Sequence, residues 1–186
     1  MKKFIKYPLI MIIPLAVLLS SPIIPLAALS FGQEVKLSTI PVDPRDFFRG
    51  DYVALKFAIE EIDFETISQS LLSKLRIKDK DEYYPPEDQV YVSLKPDDEG
   101  IYNVALVSDA PPAEGVYVRG RIKGNFQRDR VAIDYGNNLS RFYVKENTGL
   151  ELEDAARKGQ ILAIAKVWKG HIVLDTILKK TPEQPE

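Results

Sequence analysis

Residues 7–31 contain no charged side chain. An α-helix needs about 20 apolar residues to cross a bilayer, and this run of roughly 25 residues exceeds that length. The remainder of the chain must therefore build its fold without it. Lys2, Lys3 and Lys6 precede the run. A basic flank stays cytoplasmic, which sends the rest of the chain across the membrane. A cleaved signal peptide is the competing fate, and Ala28-Leu29-Ser30 has the small residues of a cleavage site. Its apolar core, however, spans only about 7–15 residues. The greater length here favours a retained anchor over residues 1–31. Pro22 and Pro25 are expected to kink or end the helix near its outer end.

The exported part begins almost at once. Val35, Leu37 and Thr39 alternate with polar neighbours, the pattern of a half-buried strand over residues 34–41. No Gly/Ser-rich spacer separates it from the apolar run, so the domain is expected to sit close to the bilayer.

A chain of 186 residues with 45% apolar content has room for one domain with a substantial core. There is no Cys, hence no disulfide framework, thiolate nucleophile or Cys-ligated metal. Without Lys2, Lys3 and Lys6, 22 basic residues face 27 acidic ones, a net of about −5. That balance attracts neither nucleic acid nor anionic lipid.

Short alternating segments follow at hairpin spacing. Residues 89–95 and 101–108 flank the turn Pro96-Asp97-Asp98-Glu99-Gly100. Further strands are expected over 115–123, 130–135, 141–145, 160–168 and 171–178, the last two joined at Lys169-Gly170. Phe64, Ile67, Leu71 and Leu75 recur at helical spacing, which predicts a helix over 64–74 with Asp63 as its N-cap. A second short helix is expected over 149–158, closed by Gly159. Residues 78–88, ending in Tyr83-Tyr84-Pro85-Pro86, read as a loop. Eight or nine strands, mostly hairpin-linked, predict a mainly-β domain over residues 34–180. Its architecture would be an antiparallel barrel or sandwich with one or two short helices, followed by a frayed tail over 181–186.

The most distinctive stretch is residues 41–57. Its first half is too rich in Pro and Asp for a helix or a central strand. Residues 52–57 then alternate, with Val53, Leu55 and Phe57 on one side and Tyr52, Ala54 and Lys56 on the other. Asp43, Arg45, Asp46, Arg49 and Asp51 crowd into nine positions. Together with Gly50 and Tyr52 they make either a salt-bridged corner or a recognition site on the surface. Structural ion pairs outnumber catalytic ones.

Gly50-Asp51-Tyr52-Val53-Ala54-Leu55-Lys56-Phe57 resembles the signature of the GDYXXLXY protein family, with Phe57 in place of its final Tyr. The preceding Pro41-Val42-Asp43-Pro44-Arg45-Asp46 also fits the family's pattern. Val116-Tyr117-Val118-Arg119-Gly120-Arg121, Tyr135-Gly136 and Arg141-Phe142-Tyr143-Val144 resemble later family segments. The resemblance implies a bacterial, membrane-anchored protein. It implies no reaction.

Little in the chain points to catalysis. His171 is the sole histidine, too few for a His-cluster metal site. No phosphate-binding glycine loop or nucleophile elbow occurs, and no cofactor is expected. The one enzymatic alternative is a Ser/Lys hydrolase of the signal-peptidase kind. Ser38, just after the anchor, would be the nucleophile and Lys95 its base, although Lys95 adjoins the acidic turn. The expectation is therefore a single-pass membrane protein with a cytoplasmic N-terminus and an extracytoplasmic binding or accessory domain. Its contacts would be the bilayer, through residues 7–31, and an integral membrane protein.

Overall fold

The computed structural model describes residues 6–41, 52–77, 89–127, 130–136, 139, 141–143, 155 and 158–179. The apolar run forms two helices, α1 (Lys6–Ser20) and α2 (Ile23–Phe31). The break falls at Ser21-Pro22, with Pro22 as the N-cap of α2. Proline lacks the N–H that would continue the ladder, and its ring crowds the carbonyl four residues back. Pro25 is tolerated because first-turn N–H groups have no partner within a helix. Met11–Phe31 is long and apolar enough to cross a membrane. Most of its side chains stand free of the rest of the protein, Met11 at 74% exposure and Phe31 at 77%. Ala28 is the exception: it is fully buried, where α2 packs against strands β10 (Ile161–Trp168) and β11 (His171–Lys179).

Gly32 alone separates α2 from strand β1 (Gln33–Ile40). A Cβ at Gly32 would lie 2.2 Å from the Ala28 carbonyl oxygen and 3.1 Å from the Val167 backbone nitrogen. Only glycine allows the backbone that close. Val35, Leu37 and Thr39 of β1 are buried, as the alternation predicts. Thr39 satisfies its hydroxyl by donating to the Ile161 carbonyl at 2.8 Å.

The described strands form antiparallel sheets, one curved into a half-barrel and one into a nearly closed barrel. One sheet runs β11-β10-β1-β3, with β3 at Lys56–Phe57. The other runs β4 (Glu61–Asp63), β8 (Arg130–Asp134), β7 (Val116–Gln127), β5 (Gln89–Pro96) and β6 (Tyr102–Ser108). A pair, β2 (Tyr52–Ala54) and β9 (Arg141–Tyr143), completes the set. The β5–β6 and β10–β11 hairpins lie where turn chemistry places them. One core spans both large sheets. Leu37, Phe57 and Ala163 meet it from one side, Val92, Val118 and Ile133 from the other.

Three expectations need correction. The described strands number eleven, because β2, β3 and β4 are only two or three residues long. The signature segment is two strands rather than one. Leu55 and Phe57 are buried and Lys56 is not, so the alternation holds. The partners differ, however: β2 pairs with β9 and β3 with β1. The segment bends so that it serves two sheets. Finally, the helix does not start at Phe64. Phe64–Thr66 is a single 3-10 turn, and α3 covers Gln69–Ile77. Ile67 bridges to Val107, and the Ser68 N–H donates to the Val107 carbonyl at 2.8 Å. The sheet claims that backbone, so the helix begins after it. Ser68 accepts from the Leu71 N–H at 3.4 Å, while Asp63 makes no side-chain cap bond.

The second predicted helix lies mostly outside the described residues. Its closing signal is present: Gly159 has φ +64°, and the Gln160 N–H donates to the Ala155 carbonyl at 2.8 Å, the backbone closure of a Schellman motif.

Candidate functional site

The signature strand leads into a corner rich in charged side chains. β3 ends at Phe57, a 3-10 turn covers Ala58–Glu60, and β4 starts at Glu61. Ile59 and Ile62 turn into the core. The turn between them leaves Glu60 half-buried beneath β8 and presents Glu61 to the charges around it. Lys56 Nζ meets Glu61 at 2.5 Å. Arg130, on β8, reaches Asp63 at 2.9 Å and Glu61 at 3.5 Å. Lys123 pairs with Asp134 at 3.1 Å.

Glu60 stands at the centre without a salt bridge to any described residue. Among the described residues its side chain accepts the Phe57 N–H, at 3.3 Å. Burial pushes its carboxyl up to about 7, against the opposing pull of that N–H, Lys56 and Lys123. Tyr135 lies just beyond. Its hydroxyl donates to the Ile59 carbonyl at 2.6 Å. Burial, and then the Glu60 charge, raise its pKa well above the ordinary phenol value, so this phenol is a fixed donor. The Lys56 ammonium, donating to Glu61, holds that carboxyl below its usual range. Within one corner, two adjacent carboxylates are driven in opposite directions, one by burial and one by a cation.

Beside this corner is a shallow cleft of about 170 Å³. Ala58, Ile59, Glu61, Asp63, Asn103 and Val104 are among its lining residues. Pockets for drug-sized ligands run from about 300 to 1,000 Å³, so this cleft suits a single side chain. No group of three or more His, Asp and Glu side chains among the described residues could hold a metal ion.

Of the residues singled out in the sequence, Asp43, Arg45, Asp46, Arg49, Gly50 and Asp51 lie outside the described residues. Tyr52 is placed: it opens β2, opposite Tyr143 of β9. Ser38 is half-buried on β1, paired with Leu162. Lys95 is exposed on β5 in the other large sheet. A Ser/Lys dyad requires a lysine shielded from water, which this position does not offer. Glu60 and Tyr135 escaped sequence reasoning as a pair because 75 residues separate them. The available signal was Glu60-Glu61 set between two core isoleucines, Ile59 and Ile62. Acids there must be paired or shifted.

The fold and this corner define a mainly-β domain carrying one apolar N-terminal segment that is long enough to span a membrane. The chain belongs to the GDYXXLXY protein family, whose sequence model matches residues 14–177. No curated protein and no solved structure matches it. The family description states a sequence signature and no activity.

Proposed function

We propose that this is a bacterial, single-pass membrane protein whose extracytoplasmic domain is an accessory module for an integral membrane protein. The observation that carries this reading is the junction between helix and domain. α2 packs on β10 and β11, and Gly32 alone joins it to β1. A domain tethered so tightly meets mainly what lies in, or just above, the same bilayer. The buried Ala28 supports a retained anchor, because cleavage after Ser30 would remove a packed helix. The small cleft beside Glu61 favours a protein contact over a bound metabolite. The recognition surface is assigned to the corner of Asp43, Arg45, Asp46, Arg49, Gly50, Asp51 and Tyr52. Arg45 is the contact residue, since Asp46 alone can hardly hold two arginines.

Two experiments test the reading. Protease added to intact spheroplasts should digest residues 34–186, and protection of that domain would reverse the topology. A photo-crosslinking residue at position 46 should capture an integral membrane protein in living cells. Arg45→Ala should abolish that crosslink without lowering the melting temperature. Crosslinks to lipid alone, or crosslinks unchanged by Arg45→Ala, would remove the accessory role.

A further inference from the structure

The turn of the β10–β11 hairpin lies at the end of the domain where the apolar helix departs. Gln33, two residues after α2, pairs with Val167. Trp168 pairs with His171 across Lys169-Gly170. Lys169 has φ +48° and Gly170 φ +82°, the double left-handed turn that tight hairpins prefer. The turn is docked on β7, where the Arg119 N–H donates to the Gly170 carbonyl at 2.8 Å and Arg119 Nη2 to the Lys169 carbonyl at 2.5 Å. A Cβ at Gly170 would lie 2.7 Å from the Tyr117 ring and 2.8 Å from Arg119 Nε.

The polar inventory of this turn does not close. Arg119 Nε is buried without a hydrogen-bond partner among the described residues. Buried polar atoms are nearly always satisfied, but this one is sealed from solvent, so an outside anion would meet the rest of the guanidinium rather than Nε. Neither Arg119 nor Lys169 faces a carboxylate among the described residues. The nearby Lys166 is paired, with Glu34 at 3.0 Å. Lys169 Nζ instead rests 4.8 Å from the centre of the Trp168 ring. Phe31, two residues before Gln33, is exposed, and Gln33 donates to the Tyr102 hydroxyl at 3.2 Å. Tryptophan and tyrosine gather at the membrane–water interface, where their rings sit at headgroup level. Lysine and arginine there reach the headgroups along apolar stems.

We infer that the Trp168–Lys169–Gly170–His171 turn, with Arg119, binds the phosphate of a phospholipid headgroup and seats the domain on the bilayer surface. The inference rests on the anchor reading above. A net negative domain gives no long-range pull toward lipid, and none is needed. The anchor holds the turn at a high effective concentration beside the headgroups, so a weak local contact is enough. Two cations without carboxylate partners suit an anionic, multi-acceptor group.

Trp168 is the only tryptophan, so its fluorescence reports on this turn alone. The full chain is reconstituted in phosphatidylglycerol vesicles that carry a nitroxide quencher near the headgroup. Trp168 should be strongly quenched and its emission blue-shifted. Lys169→Asn keeps the fold, because Asn-Gly is the favoured pair for this turn, yet quenching should fall several-fold. Arg119→Gln should lower it further. Vesicles of a phosphate-free glycolipid should quench the parent no better than they quench Lys169→Asn. Flotation separates the two readings. Protein that does not float with the vesicles lacks the anchor, whereas protein that floats with Trp168 unquenched overturns the headgroup contact alone. Equal quenching in glycolipid, or release by millimolar inorganic phosphate, also overturns it, the second pointing to a soluble phosphate site.

Discussion

At the Glu60 corner Lys56, Arg130 and Lys123 each face a carboxylate, whereas at the β10–β11 turn Arg119 and Lys169 face none among the described residues. Both places are polar clusters laid over the same core. The corner closes its other charges on itself and leaves one half-buried carboxyl, Glu60, whose pKa burial raises to about 7. The turn leaves its cations without a carboxylate among the described residues, at the end of the domain where the apolar helix joins. A self-satisfied cluster is what a fold needs to seal a bend between sheets. An unsatisfied one is what a surface needs to hold a ligand. The contrast assigns structure to the first and contact to the second.

The largest test bears on what the corner rests upon. Phe57 is fully buried under it. Phe57→Ala should cost about 3–5 kcal/mol of stability, read by urea unfolding. A loss below about 1 kcal/mol would mean that the corner does not depend on the core.

Glu60 gives a smaller, pH-dependent effect. Its folded-state value is raised from 4.5 to about 7. Below pH 4.5 it is protonated folded or unfolded and contributes nothing to the pH dependence. Between about pH 4.5 and 7 the unfolded chain releases the proton first, so stability falls as pH rises. Glu60→Gln keeps an acceptor for the Phe57 N–H and removes this slope. The variant should therefore gain on the parent from pH 4.5 to 8, by up to about 3 kcal/mol. Parallel melting profiles across that range would show that Glu60 is not held neutral by the fold.

The smallest effect is expected at Lys56. Its side chain is 40% exposed and its Glu61 partner 35%, so the pair is worth about 0–1 kcal/mol. Lys56→Ala should melt within a few degrees of the parent. A loss of several kcal/mol would make the pair a buried one in effect and weaken the contrast with the open turn.

Local physics made much of this protein legible in its sequence. The uncharged run of residues 7–31, the period-two burial of Val35, Leu37 and Thr39, and the hairpin turns at Asp97–Gly100 and Lys169-Gly170 depend only on neighbours along the chain. So did the bend at Pro22, because proline's missing N–H acts within one helical turn. The tertiary structure alone decided the rest. It split the signature into β2 and β3, since β3 pairs with β1 just upstream whereas β2 pairs with β9, far away in sequence. It delayed α3 to Gln69, since Val107 claims the backbone of Ser68 first. It also raised the Glu60 pKa and left Arg119 Nε without a hydrogen-bond partner among the described residues, because burial and pairing are properties of the assembled fold. Glu60 meets Tyr135 only when β8 lies over the turn, and Arg119 meets Gly170 only when the last hairpin docks on β7. Charge type is written in the sequence, but whether a charge finds an opposite depends on which distant strands the core brings together.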